Sequence, residues 1–154
     1  MPSVESKTTI AAPPLRALRA LRSDLAQLAD HVGDIDRVEV LESGSDQTLC
    51  RWSGRVTTPF GAPLQFQWTE REVWDEAAVT CTFAQTEGDF DQYGGSWTFA
   101  PSGEGCELTL GIEFSKDVGG LGAIVENLLK GKVQELADAL VQAAKHLAEA
   151  TETT

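Results

Sequence analysis

Basic side chains, paired cysteines, histidines and long apolar runs are all scarce in this chain, and each shortage removes a class of function. Twelve Lys and Arg stand against 24 Asp and Glu, a net charge of −12. Like charge repels at long range, so neither nucleic acid nor an anionic membrane surface is expected as a partner. No stretch reaches the roughly 18 consecutive apolar residues that a bilayer-spanning helix needs. The three cysteines, Cys50, Cys81 and Cys106, are far apart with no CxxC pair, and His31 and His146 are the only imidazoles. That is neither a disulfide framework nor a zinc pattern, so no metal is expected and the thiols read as small buried apolar groups. GxGxxG, P-loop, GxSxG and HExxH motifs are all missing, which argues against nucleotide cofactors and the corresponding hydrolases. The polar opening, Met1 to Lys7, lacks the apolar core of a secretory signal, and a cytoplasmic address is expected.

What is present reads as one domain over residues 1–150 with a frayed tail at 151–154. At 154 residues and 42% apolar content the chain can bury about 70% of its unfolded surface. Val4 to Ile10 alternates as a first strand, and Pro13-Pro14 opens a short helix over Leu15 to Leu21. Ser23-Asp24 with Gln27 caps a second short helix that Gly33 closes. From there the period switches to two. Strands are predicted at Arg37 to Glu42, Gln47 to Val56, Leu64 to Trp74, Ala78 to Ala84, Tyr93 to Ala100 and Glu107 to Phe114. Their short links, among them Thr58-Pro59-Phe60-Gly61 and Asp75-Glu76, favour an antiparallel meander. The chain ends in a long one-faced helix, Leu121 to Glu149, with Leu121, Val125, Leu128, Leu129, Val133, Leu136, Leu140, Ala144 and Leu147 along one stripe.

Alternation sorts the strands into faces. Cys50, Trp52, Gly54 and Val56 should face the long helix, as should Leu64, Phe66, Trp68, Glu70, Glu72 and Trp74. The same face takes Val79, Cys81, Phe83, Tyr93, Trp97, Phe99, Leu108, Leu110, Ile112 and Phe114, while Arg51 and Arg55 point to solvent. Tight turns set a register. Val56 opposite Leu64 puts Trp52 opposite Trp68 and Cys50 opposite Glu70. Trp74 opposite Ala77 puts Glu72 opposite Val79 and Glu70 opposite Cys81. Cys50 and Cys81 would then lie two strands apart, about 9–10 Å, too far for a disulfide.

Two readings of this inner face stand side by side. Its rings form a solid core, or they line a hollow that one helix fails to fill. Gly131 in mid-helix, where glycine costs about 1 kcal/mol against alanine, and Gly119-Gly120-Leu121-Gly122 before the helix favour the hollow. Glu70 is the sharper oddity. An inward carboxylate needs a raised pKa or a partner; it is either a polar anchor or acid–base group at the pocket wall, or a bulge turns it to water. Glu72 poses the same choice, with the bulge favoured. His31 is a surface histidine or a pocket-mouth residue. Tyr93 offers its hydroxyl to a ligand or to the backbone.

Thr9-Ile10-Ala11-Ala12-Pro13 before a helix, Val38-Glu39-Val40-Leu41-Glu42, Gly94-Gly95-Ser96-Trp97-Thr98-Phe99 with Gly103-Glu104-Gly105, and Gly122 leading the last helix resemble the START/Bet v1-like (SRPBCC) superfamily, of the polyketide cyclase/dehydrase and lipid-transport type. The resemblance covers nearly the whole chain. It implies an α+β helix-grip fold, a curved antiparallel sheet of about seven strands wrapped around a long C-terminal helix. It also implies a cavity between sheet and helix for a lipid, polyketide or quinone. Aromatase/cyclases of the superfamily look to use arginine in the cavity, and the inward positions here have none. The expectation is therefore a cytoplasmic binder of an apolar or aromatic small molecule, without cofactor. Trp52, Phe66, Trp68, Phe83, Trp97, Phe99 and Leu110 would wall the site, Leu128 and Gly131 would form its lid, and Glu70 or Tyr93 would orient a polar end. The alternatives are a metal-free polyketide cyclase or dehydratase with Glu70 as acid–base group, and a chaperone-like partner of another protein using the acidic surface.

Overall fold

A computed structural model describes residues 2–58, 61–116 and 122–152. The order is β1 (Ser3–Ile10), α1 (Pro14–Ser23), a 3₁₀ helix (Leu25–His31), β2 (Ile35–Ser43), β3 (Gln47–Thr58), β4 (Gly61–Asp75), β5 (Thr80–Gly88), β6 (Gln92–Ser102), β7 (Gly105–Ser115) and α2 (Gly122–Glu152). The strands form one seven-stranded antiparallel sheet in the order β1-β7-β6-β5-β4-β3-β2. This is the helix-grip arrangement. Proline opens α1, as expected. The Asp24 side chain caps no backbone N–H; Gln27 Nε2 reaches its Oδ1 instead, at 3.2 Å, and the segment winds as 3₁₀. The helix α2 includes Thr151 and Glu152, which the sequence places in a frayed tail. The expected turn at Pro59-Phe60, the entry Gly119-Gly120-Leu121, the Val125 side chain and the last two residues lie outside the described residues.

α2 rests on β1, β7, α1 and the 3₁₀ helix. Its second half buries Ala137, Leu140, Val141, Ala144, Leu147 and Ala148, and the small residues let backbones approach closely. A polar seam covers the open edge of β1. Gln134 Nε2 donates to the Glu5 carbonyl at 3.0 Å and Lys145 Nζ to the Thr9 carbonyl at 2.7 Å, while Ser6 Oγ donates to Asp138 at 2.6 Å. An edge strand is thereby prevented from pairing with another chain. Among the described residues, β3, β4 and β5 do not approach the helix backbone in the same way. Side chains fill that distance.

The β3–β4 register matches the sequence reading: Val56 faces Leu64, Trp52 faces Trp68 and Cys50 faces Glu70. The β4–β5 register does not. Trp74 pairs with Cys81, Glu72 with Phe83 and Glu70 with Gln85. The turn is longer than the tight one assumed, because Asp75 Oδ1 accepts from Ala78 N–H at 3.0 Å and Val79 takes a left-handed φ of 54°. A β-branched residue is an uncommon occupant of that region, so the local sequence points away from the turn that forms. The slip is four residues, an even number, so the inward parity of β5 survives it. Cys50 and Cys81 are free and buried, as is Cys106.

Gly131 is exposed, and a Cβ there would meet nothing within 4 Å. It contributes nothing to a lid. Gly131→Ala is therefore expected to stabilise the protein by about 1 kcal/mol, the ordinary helix-interior difference, measured by urea unfolding; a loss of stability would contradict this placement.

Candidate functional site

Free space between helix and sheet lies where β3 ends, β4 begins and the first half of α2 passes. There a cavity of about 40 Å³ is bounded by Phe66 and Trp68 of β4, Phe90 of the β5–β6 connection, and Leu129, Val133 and Leu136 of α2. Polar side chains rim it: Arg55, paired with Asp36 at 3.3 Å, and Lys132, paired with Glu135 at 3.3 Å. Leu64, one step further out, is 51% exposed instead of facing inward, because the strands run past the end of the covered region.

The cavity is small because rings occupy the rest. Trp52 and Trp68 stack with centroids 5.7 Å apart and planes 10° apart. Phe90 stacks on Phe66 at 5.3 Å, presents an edge to Trp68 at 5.7 Å and lies 4.9 Å from Tyr93. Tyr93 touches Trp68 and Phe83 at 5.0 and 5.8 Å. Phe90 escaped the sequence reading because it sits in a connection, between two aspartates, where no periodicity flags it. Gln85 Nε2 holds its carbonyl at 2.8 Å, and Asp89 Oδ2 accepts from Gln67 N–H at 2.7 Å. Gly88, opposite Trp68, has a φ of 153°, and a Cβ there would fall 2.5 Å from the Trp68 Cβ. Glycine is what lets the connection close against that indole.

Of the residues expected in the wall, Phe66 and Trp68 face the cavity directly, while Trp52, Tyr93 and Phe83 form the layer behind them. Trp97, Phe99 and Leu110 are buried elsewhere on the inner face and do not line the cavity. The lid positions shift as well. Leu128 is half-buried and Gly131 exposed, and neither lines the space; Leu129, Val133 and Leu136 do. A one-residue step rotates a helical side chain by about 100°, enough to move Leu128 off the face its neighbour occupies. His31 is exposed and lies against the His146 ring at 4.5 Å, a surface pair between the 3₁₀ helix and α2.

Behind the rings lies a polar nest. Glu70 and Glu72 are 3% and 1% exposed. The bulge beside them falls between Thr69 and Glu70 in the pairing with β5, with the extra residue on β5, so neither carboxyl is turned to water. Trp68 Nε1 donates to Glu70 Oε1 at 2.8 Å. Trp74 Nε1 donates to Thr48 Oγ1 at 2.9 Å, and that hydroxyl donates to Glu72 Oε1 at 2.7 Å. Glu72 Oε2 and Trp52 Nε1 are buried without a partner. Burial, and then Glu72 beside it, holds the Glu70 carboxyl well above the ordinary carboxylate range, against the smaller opposing effect of the Trp68 N–H. Burial raises the Tyr93 phenol, with Glu70 adding to it, and burial raises the Cys50 thiol, with Glu72 adding to it. Both thus stay protonated and unreactive as nucleophiles. Chemically the nest is a buried carboxyl pair in which Glu70 keeps its proton beside Glu72. No group of three or more metal-ligating side chains occurs among the described residues.

The family described as polyketide cyclase/dehydrase and lipid transport matches residues 1–145, and the chain belongs to it. No curated protein matches the sequence. Among solved structures, TTHA0849 of Thermus thermophilus is similar at 29% identity with a TM-score of 0.87, covering 97% of this chain and 99% of that one. The Zhui aromatase/cyclase of Streptomyces sp. R1128 is similar at 23% identity and a TM-score of 0.75, covering 96% and 93%. A START superfamily protein of Mycobacterium smegmatis follows at 15% identity and 0.71, covering 98% and 99%. At the last two identities the likeness is one of fold.

Glu70 generates a pH prediction. Its folded-state pKa lies above its value in the unfolded chain, so its contribution to stability is fully present below the unfolded value. That contribution is lost as pH rises through the folded value. Glu70→Gln should therefore gain in melting temperature relative to the parent as pH is raised from about 4 to about 8. Parallel profiles for the two proteins would contradict the assignment.

Proposed function

We propose that this member of the polyketide cyclase/dehydrase and lipid-transport family binds a hydrophobic or aromatic small molecule, of the lipid, polyketide or quinone class, between β3–β4 and the first half of α2, and that it does so in the cytoplasm. The observation that carries the reading is the wall of rings, Phe66, Trp68 and Phe90, set across free space from three aliphatic side chains of the helix. Small-molecule sites are mostly apolar with a few convergent polar groups, and here the polar groups are confined to the rim and to the nest behind Trp68. Burial of ligand surface at about 25 cal/mol per Å² would supply the affinity. A site of about 300–1,000 Å³ is usual for a drug-sized ligand, so binding requires rings or helix to move apart. The net charge of −12 disfavours nucleic acid as an alternative occupant.

One observation favours a second reading. A buried carboxyl with a raised pKa is the kind of group a cyclase or dehydratase uses as general acid or base, and Glu70 is such a group. It lies behind Trp68, however, and a substrate would have to pass that ring to reach it. Glu70→Gln separates the two: affinity within a few-fold of the parent fits a binder, whereas lost turnover of a bound polyketide fits an enzyme.

The binding site itself is tested by filling it. Leu136→Trp adds bulk at a half-buried cavity position outside the deep core. The parent should show ligand-dependent tryptophan fluorescence in a screen of lipids, quinones and aromatic polyketides. The variant should keep its melting temperature and lose affinity by about tenfold or more, a change of roughly 1.4 kcal/mol. A flat response from the parent across all three classes would contradict the proposal.

A further inference from the structure

The chain has two histidines, far apart in sequence, and the fold sets them side by side. His31 is the last residue of the 3₁₀ helix and His146 stands on the closing turns of α2. Both are exposed, their ring centres are 4.5 Å apart, and the ring planes are tilted by 47°. Rings in parallel stacked planes cannot aim donor nitrogens at one point, whereas tilted rings can. An ion held by two imidazoles lies about 2.1 Å from each donor nitrogen and so roughly 3.2 Å from each ring centre. The ring centres then fall about 4.5 Å apart when the two ligands are at 90°, and about 5.2 Å apart at the tetrahedral angle. The observed spacing is that of neighbouring ligands at a right angle, as in the tetragonal and octahedral geometries that copper(II) and nickel(II) prefer.

We propose that His31 and His146 form a surface chelate for a late first-row divalent transition ion, copper(II) or nickel(II), with water at the remaining positions. The spacing along the chain gives no sign of such a site, because the two donors come from separate elements that meet only in the fold. Electrostatics favour a cation, since the chain carries a net charge of −12. Glu149, three residues on from His146, adds negative charge nearby. It is not counted as a ligand, because it already holds Lys145 Nζ at 2.7 Å and the Ala11 N–H at 3.0 Å. The site is separate from the apolar cavity, which neither histidine lines. A bound ion would tie the 3₁₀ helix, whose first residue has no side-chain cap, to α2. Two donors are brought together in the folded chain alone, so the ion should stabilise the fold.

Nickel(II) chloride titrated into the untagged full chain tests this by calorimetry. One equivalent should bind, and His31→Gln and His146→Gln should each weaken binding by about tenfold or more. Nickel(II) at about a hundred times its Kd should raise the parent's melting temperature by about 5 °C and leave both variants unmoved. Magnesium, which prefers oxygen ligands, should do neither. Both substitutions are on the surface, so without metal each variant should melt within about 2 °C of the parent. Electron paramagnetic resonance of the copper(II) form should show coupling to two imidazole nitrogens. A loss of only about twofold in each variant, or an equal rise in melting temperature in parent and variants, would mean two independent imidazoles and overturn the chelate. Coupling to a single nitrogen would overturn it without recourse to any variant.

Discussion

The hydrogen bond from the Trp68 indole to the buried Glu70 carboxyl organises the interior. A carboxyl on the inner face of a central strand has to be neutral, paired or both, because a bare charge there costs several kcal/mol. Here it is both. Burial and Glu72 favour the protonated form, and the indole N–H occupies an oxygen. That bond fixes the direction of the Trp68 ring. The ring in turn sets the stack on Trp52 and the seats of Phe90 and Tyr93, which together fill the distance between β3–β5 and α2.

The long helix is gripped unevenly, and the cavity lies where the grip is looser. Alanines along its second half bring it close to β1, β7 and the short helices, and its polar side chains seal the β1 edge. Its first half carries Leu129, Val133 and Leu136 across from rings and not from a close-packed backbone. Rings on one side, aliphatics on the other and polar groups kept to the two ends form a layout suited to apolar ligands with one polar handle.

Much of this was legible in the sequence because period-two alternation survives errors of register. The β3–β4 pairing followed from a short turn between long strands, and with it the opposition of Trp52 to Trp68 and Cys50 to Glu70. The β4–β5 pairing was missed by four residues because an Asx-type turn with a left-handed valine replaced the tight turn assumed, yet Glu70 and Glu72 still pointed inward. The site was harder. Phe90 lies in a connection, beyond the reach of any pattern. A stripe of apolar residues cannot say which of Leu128 and Leu129 meets the sheet, and a helix glycine looks the same whether it yields room to a ligand or only to solvent. Trp97, Phe99 and Leu110 share the parity of the wall but lie away from the cavity, a distinction of position along the strands that alternation does not encode.

The most direct measurement is a carbon-detected NMR titration of the glutamate side-chain carboxyls with Glu70 assigned. In the absence of ligand the Glu70 carboxyl should titrate well above the other glutamates. A Glu70 midpoint within the ordinary carboxylate range would mean that water reaches the nest and that Glu70 is not held buried beside Glu72 as described.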